Sequence, residues 1–191
     1  KGEQTMKTRI IALFAFLFFT VLSVNAQQTD FTKMAGYYNF GDMTSIAKSD
    51  PVTQVEIEEP LLKMAAKMAG DEEGVNQLLN ALKLVKVVEY ELTINNKHDF
   101  ESKLDELDKS FTNSKWERIV KSKSKGGAAN VYMKSDGKGN YSGMAVMSLG
   151  MNNKVSFINV VGDINLDTIG KISTKFDFDG LKNLGNGKKD K

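Results

Sequence analysis

The sequence predicts an α+β fold, a single domain in which helices pack on one face of a largely antiparallel sheet. Three observations support this class. Helical patterns cluster in the first half of the chain, four short strand patterns follow in the second half, and 191 residues suffice for one domain or two at most. The last strands are joined by short turns, which connect antiparallel neighbours.

The first segment of the chain has the features of a secretory signal peptide. Basic Lys7 and Arg9 precede an apolar run that starts at Ile10, and Val24-Asn25-Ala26 offers a small-residue cleavage site. The run is shorter than the roughly 20 residues that cross a bilayer, so a retained anchor is the less favoured alternative. We assign residues 1–26 to upstream residues plus a cleavable signal peptide and expect a periplasmic or secreted protein.

Charge and cysteine content exclude several classes of function. Residues 1–26 hold three basic and one acidic residue, so the remaining chain carries 23 of each and no net charge. A neutral domain has no overall field that attracts nucleic acid. The absence of cysteine excludes disulfides, thiolate metal sites and cysteine nucleophiles, and one histidine cannot form a multi-histidine metal centre.

The mature chain divides by composition into three parts. We expect a polar arm with scattered aromatic residues at 27–51, an α+β domain at 52–175 and a flexible tail at 176–191. A short helix is predicted near Phe31–Ala35 within the arm. We expect the arm to pack its aromatic side chains on the domain.

The domain begins with one strand and two helices. Alternation of Val55 and Ile57 with polar residues predicts a half-buried strand over 52–58. Pro60 suits the first turn of a helix that extends to Ala69. Apolar residues at helical spacing from Val75 to Leu82 predict the second helix.

The next two elements are a strand and a longer helix. The β-branched segment from Val85 to Ile94 predicts a strand, which Asn95-Asn96 ends. An apolar stripe at helical spacing then predicts an amphipathic helix, formed by Phe100, Leu104, Leu107 and Phe111.

The second half reads as consecutive strands. They are predicted at Trp116–Lys121, Ala129–Ser135, Tyr141–Leu149 and Lys154–Val161. Residues 136–140 and 150–153 form the turns, since Gly and Asn tolerate positive φ. Leu166, Ile169 and Ile172 suggest a short closing helix.

Four candidate sites are each explained better by a structural role. Asp163 to Asp167 resembles a calcium loop, but Thr168 and Thr174 replace the required glycine and glutamate, so a helix cap is favoured. His98 has no nucleophile motif to pair with, and a surface or first-turn histidine is favoured. Met64/Met68 and Met147/Met151 have spacing that suits Cu(I), yet core filling is favoured. We further predict that Met144 and Met147 point to opposite faces of their strand.

Other charged and glycine-rich stretches are also weak signals. Glu56, Glu58 and Glu59 are interpreted as a solvent face rather than paired catalytic acids. The glycines at 36–41 and 137–139 lack a phosphate-binding pattern. One further segment is basic and contains Trp116, Arg118, Lys121, Lys123 and Lys125. It could touch an anionic partner, but protection of a strand edge by lysine is the favoured interpretation.

The leader and several hydrophobic segments together resemble a known family. These segments are 55–64, 84–92, 155–162 and the stretch from Asp163 to Ile169. They are similar to the exported bacterial domain-of-unknown-function family numbered four-two-five-two, which is typical of Bacteroidetes-type envelopes. The resemblance covers roughly residues 30–175 and implies a cell-envelope location, but it supplies no catalytic residue.

The sequence therefore predicts no catalytic, cofactor-binding or metal-binding residue and no cofactor. Our leading hypothesis is a non-enzymatic envelope domain that binds a protein, peptide or amphiphile through its sheet or its aromatic arm at 31–40. It binds no nucleic acid and has no transmembrane span after cleavage. The alternatives are a hydrolase with an unrecognised Asp/Glu/Ser arrangement and a lipid carrier or chaperone with a methionine-lined cavity.

Overall fold

The computed structural model describes residues 29–69, 74–124 and 126–165. The chain divides into units at 1–30 and 31–191, and every element below belongs to the second unit. The predicted leader, the closing helix around Leu166–Ile172 and the tail at 176–191 lie outside the described residues.

Ten helices and strands follow one another in the described residues. They are α1 (Thr44–Ala47), β1 (Thr53–Glu58), α2 (Glu59–Met68), α3 (Val75–Ala81), β2 (Leu82–Glu91), α4 (Lys97–Asn113), β3 (Glu117–Ser124), β4 (Gly127–Ser135), β5 (Tyr141–Leu149) and β6 (Lys154–Ile164). Two short 3₁₀ turns lie at Phe31–Lys33 and Met151–Asn153. The predicted helix at the start of the arm is therefore a single 3₁₀ turn.

All six described strands form one antiparallel sheet in the order β1-β2-β6-β5-β4-β3. After β2, helix α4 carries the chain to the far edge of the sheet. Strands β3 to β6 then return one by one until β6 pairs with β2. Strands β1 and β3 are the two edges, and the predicted α+β class with its antiparallel sheet is confirmed.

Side chains alternate between the two faces of this sheet. Tyr90 and Phe157 lie on the face that α4 covers, the α4 face, in one core cluster with Phe100 and Phe111. Val85 and Val160 point the other way and pack with residues of α2 and α3 on the α2–α3 face. The helices thus pack on both faces of the sheet rather than on one.

Helix α4 buries the whole predicted stripe. Phe100 and Phe111 are fully buried, and Leu104 and Leu107 are less than a tenth exposed. The ring of Phe111 stacks on Tyr132 at a centroid distance of 4.1 Å. Aromatic pairs of this kind add to the stabilisation that burial of their area provides.

The arm is held on the α4 face by a close approach of two backbones. A Cβ atom on Gly36 would lie 1.8 Å from the carbonyl oxygen of Ser142, and one on Gly143 would lie 2.4 Å from the oxygen of Gly36. Buried Asn159 secures the same contact, since its amide donates to the Gly36 oxygen and its carbonyl accepts from the Tyr38 N–H. Only glycine fits at both places.

The prediction for the end of β2 was wrong by three residues. The strand ends at Glu91, and Ile94 is 97% exposed in a turn. The buried side chain of Asn96 explains this, because it accepts from the Thr93 N–H and donates to the Glu91 oxygen. At the other end, Leu82 is the first residue of β2 rather than the last of a helix.

Candidate functional site

The predicted candidate residues do not converge on one site. His98 is the second residue of α4, with its side chain 90% exposed and its Nδ1 atom 3.9 Å from Asp99. The prediction of a surface or first-turn histidine is confirmed.

The three glutamates at the end of β1 and the start of α2 do not share a partner. Glu56 forms an ion pair with Lys86 at 3.2 Å. Glu59 begins α2, and hydrogen bonds from Lys63 and then Lys83 lower the pKa of its carboxyl. The interpretation as a solvent face agrees with the exposure of Glu56 and Glu58, while Glu59 is half-buried.

Some of the methionines are buried in the core and others are exposed. Met43, Met133 and Met147 are at most 1% exposed, so core filling is confirmed for them. It is wrong for Met64 and Met68, which are 52% and 81% exposed. Helix α2 turns Leu62 and Ala66 towards the sheet instead.

The prediction that Met144 and Met147 point to opposite faces of β5 is confirmed. Met147 packs in the cluster on the α4 face, and Met144 packs in the cluster on the α2–α3 face.

The remaining candidate segments are turns or lie beyond the described residues. Asp163 is exposed near the end of β6, and the residues that it was predicted to cap follow Asn165 and are not described. Asp136 closes the β4–β5 turn, since its carboxylate accepts from the N–H groups of Lys138 and Asn140.

One exposed apolar surface lies on β1 and α2. Leu61, Met64 and Met68 recur at a spacing of three and four residues, so they share one side of α2. Their exposed fractions are 48%, 52% and 81%, and that of Val55 on β1 is 39%. We name these four residues the β1–α2 surface.

The β1–α2 surface continues from the core beneath it. Val55 points to the same face of β1 as Ile57, two residues later, and Ile57 packs in the cluster that contains Leu62. Leu62 is buried, whereas its neighbour Leu61 is about half exposed. Among the described residues, helix α2 therefore has an apolar side that remains exposed, which is a feature of interaction sites.

A second feature is a cleft of about 400 Å³ between α4 and the β3 edge. Helix α4 contributes one wall, and the side chains that line it share one side of the helix: Lys97, Glu101, Leu104, Asp105 and Asp108. Lys121 and Lys123 line the opposite wall, on β3. The cleft therefore has both signs of charge.

The basic segment was predicted to protect a strand edge, and β3 is indeed an edge strand. Lys121 is in register with Asn130 and Lys123 with Ala128, so both lysines point to the α4 face. They meet the acidic side of α4 there. Lys125 lies outside the described residues.

Asp108 forms the rigid end of the cleft. Its carboxylate accepts a hydrogen bond from the buried Tyr132 hydroxyl and two from Arg118 Nη1, at 2.6 and 2.7 Å. Burial alone would raise the pKa of Asp108, but these hydrogen bonds outweigh it and the pKa is lowered. Burial and the bond to Asp108 raise the pKa of Tyr132. This network is a structural anchor, because both carboxylate oxygens of Asp108 and the Tyr132 hydroxyl already have partners.

A smaller cleft of about 240 Å³ separates the arm from β1 and β2. Tyr37, Phe40 and Tyr90 line it, together with the charged side chains of Asp42 and Lys86. Other arm residues belong to the core, since Phe31 and Met43 are buried and Tyr38 stacks on Phe111 at 3.8 Å. The prediction that the arm packs its aromatic residues on the domain is confirmed.

Within residues 29–69, 74–124 and 126–165, no three Asp, Glu or His side chains converge as ligands of a metal ion would. No helix in this part of the chain combines the length and the hydropathy that crossing a bilayer requires.

Comparison with known proteins supplies the family. No curated protein matches the chain. The family model described as Domain of unknown function (DUF4252) matches residues 38–172, a range that contains α1 to α4 and all six described strands. The match covers more than half of the chain and agrees with the resemblance carried by the hydrophobic segments. The chain therefore belongs to the DUF4252 family.

Proposed function

We propose that this protein is exported to the cell envelope and acts as a non-enzymatic binding domain that docks another protein on the β1–α2 surface. The observation that carries the proposal is the exposure of Leu61, Met64 and Met68 along one side of α2. Contiguous exposed apolar side chains are uncommon on monomeric domains except at interaction sites. Methionine adapts its shape readily to a partner.

The surroundings of this surface favour a protein partner over an amphiphile. Exposed charges of both signs flank it, with Glu58 before α2 and Lys63 and Lys67 on the helix itself. A polar rim around a small apolar centre is the usual composition of a protein–protein interface. The arm at 31–40 offers less free apolar area, since much of it is packed in the core.

Two acidic side chains, Asp108 and Glu89, are poorly suited to act as general acids. Asp108 and Glu89, which are partly buried, both have a lowered pKa. A general acid near neutral pH needs a raised one. For Glu89 the hydrogen bond from Lys154 is the main cause.

Affinity isolation tests the docking proposal. The tagged protein and a variant with Met64→Glu and Met68→Glu would be used on native envelope extract, with proteins and lipids identified by mass spectrometry. We expect a stoichiometric protein that the variant fails to recover. Lys109→Glu is the control, since it reverses the charge of an exposed residue on α4, on the opposite face of the sheet. Equal recovery by all three proteins, or recovery of lipid alone, would contradict the proposal.

Export is tested by the N-terminus of the native protein. The small-residue site before Gln27 predicts that the protein isolated from the envelope begins at Gln27. Mass spectrometry of its N-terminal peptide measures this directly. Recovery of the intact leader, or of the protein from the cytoplasm alone, would count against export.

A further inference from the structure

The α4 wall of the cleft is mainly acidic, with one lysine, Lys97, near Glu101, and the β3 wall is basic. Glu101 and Asp105 lie on α4, and Lys121 and Lys123 lie on β3. All four side chains belong to exposed residues. None of the ion pairs within the described ranges involves any of them, although the charge of Lys121 contributes to the lowered pKa of Asp108 on α4.

The floor between these walls is apolar and carries one free amide. Leu104 and Leu149 form its buried part, and Ala128 leaves space above the sheet because its side chain is small. Asn130 also lines the cleft, and its side chain makes no hydrogen bond to any described residue. An amide in that position can donate to a ligand and accept from it.

The position of the cleft is fixed by rigid elements. The Asp108–Arg118 ion pair ties α4 to β3 at one end. Lys121 and Asn130 are held in register by the pairing of β3 with β4. A ligand would therefore meet preformed walls, which lowers the entropic cost of binding.

We propose that this cleft binds a short peptide with free termini. The α-carboxylate would contact Lys121 and Lys123, the α-ammonium would contact Glu101 and Asp105, and an apolar side chain would lie on the leucine floor. A cavity of about 400 Å³ is in the usual size range of small-molecule sites. A purely anionic ligand fits less well, because the α4 wall would repel it.

This proposal concerns the α4 face and does not depend on the β1–α2 surface. Its test is calorimetric titration of the full chain with the tripeptide Ala-Leu-Ala. The N-acetylated and the C-amidated forms of the same peptide serve as probes that lack one charge each. We expect saturable binding of the free peptide and, for each capped form, binding weaker by about tenfold or more, the effect of losing one charged contact.

Two double variants test which wall of the cleft each terminus of the peptide contacts. The double variant Lys121→Gln and Lys123→Gln is expected to weaken the free peptide by about tenfold and to leave the C-amidated form unchanged. The double variant Glu101→Gln and Asp105→Asn is expected to weaken binding of the free peptide by about tenfold and to leave binding of the N-acetylated form unchanged. Lys138→Gln, in the β4–β5 turn, is the control.

Three outcomes would overturn the inference. The first is the absence of saturable binding at about 1 mM peptide, a concentration at which even a weak ligand of this kind binds. The second is equal binding of the free and the capped peptides. The third is an equal effect of the cleft variants and of Lys138→Gln on binding. Thermal unfolding of each variant checks that it is folded. All substituted side chains are exposed, so we expect the folded state to persist.

Discussion

Helices α4 and α2 both have an apolar stripe, but they differ in what covers it. Helix α4 buries all four members of its stripe, and each of them is less than a tenth exposed. Helix α2 buries Leu62 and Ala66 and leaves Leu61, Met64 and Met68 about half exposed or more. The apolar stripe of the first helix is packed in the core of the domain. The second helix has more apolar surface than its contacts with the described residues cover, and the docking proposal rests on this excess.

The polar contacts that hold the two helices also differ, and those of α4 are the more buried. Asp108 on α4 is hydrogen-bonded to the buried Tyr132 and to Arg118. Glu59 on α2 pairs with Lys63 and Lys83, whose side chains are 52% and 40% exposed. Water screens the second set more strongly, so we expect α4 to contribute more to stability than α2 through polar contacts as well.

The largest effect is expected at the centre of the α4 core. Phe111→Ala removes a fully buried ring that stacks on Tyr38 and Tyr132. It should lower the free energy of unfolding by about 3–5 kcal/mol, the usual cost of truncating a buried aromatic residue. Urea unfolding followed by circular dichroism measures this loss.

Ile94→Ala is the matched control for Phe111→Ala. Ile94 is 97% exposed, so its truncation should change the free energy of unfolding by less than about 0.5 kcal/mol. Similar losses in both variants would mean that α4 does not form the core described above.

The difference between the helices also shows how far sequence reasoning reaches. The stripe of α4 was predicted correctly because Phe100 to Phe111 has one apolar side and one charged side. The bounds of β5, Tyr141–Leu149, were predicted correctly because turn residues flank both ends. In α2, apolar residues occupy more than one side, and periodicity alone cannot tell which side meets the sheet.

The charged cleft could not be predicted from spacing along the chain. Its two walls come from α4 and from β3, and they face each other because α4 carries the chain to the far edge of the sheet. Lys121 and Lys123 were singled out as a basic segment, but nothing in the spacing of the sequence connects them with the acidic residues of α4. The topology of the sheet brings the acidic side of α4 and the lysines of β3 together in space.

A smaller effect than that of Phe111→Ala is expected for the polar anchor of α4. Asp108→Asn removes the charge that Arg118 pairs with and weakens the acceptor of Tyr132. We expect a loss of about 2 kcal/mol at neutral pH, as for a charged hydrogen bond. Urea unfolding of both proteins gives the difference.

The pH dependence of this loss has a defined sign. The pKa of Asp108 is lowered in the folded state, since hydrogen bonds from Tyr132 and Arg118 outweigh the effect of burial. A lowered pKa stabilises the fold above the unfolded value of about 4 and ceases to do so as pH falls through the folded value. The two proteins should therefore approach equal stability in acid, and a gap that is constant with pH would contradict the assignment.

The anchor of α2 is expected to matter less. Glu59→Gln removes the charge that Lys63 and Lys83 share, and both lysines are well exposed. The loss should be at most about 0.5 kcal/mol and should vanish at high salt, as for other exposed pairs. Unfolding at low and high ionic strength measures it, and a loss equal to that of Asp108→Asn would remove the contrast between the two helices.

The smallest effect on stability is expected on the β1–α2 surface itself. Met64→Ser and Met68→Ser replace side chains that are already 52% and 81% exposed, so little apolar area returns to water when the domain unfolds. Together they should change the free energy of unfolding by less than about 0.5 kcal/mol. Leu62→Ser, two residues before Met64 and on the buried side of the same helix, should instead destabilise the domain strongly. If the methionine pair proved as costly as Leu62→Ser, the exposed stripe would be part of the core, and its proposed role in docking would fail.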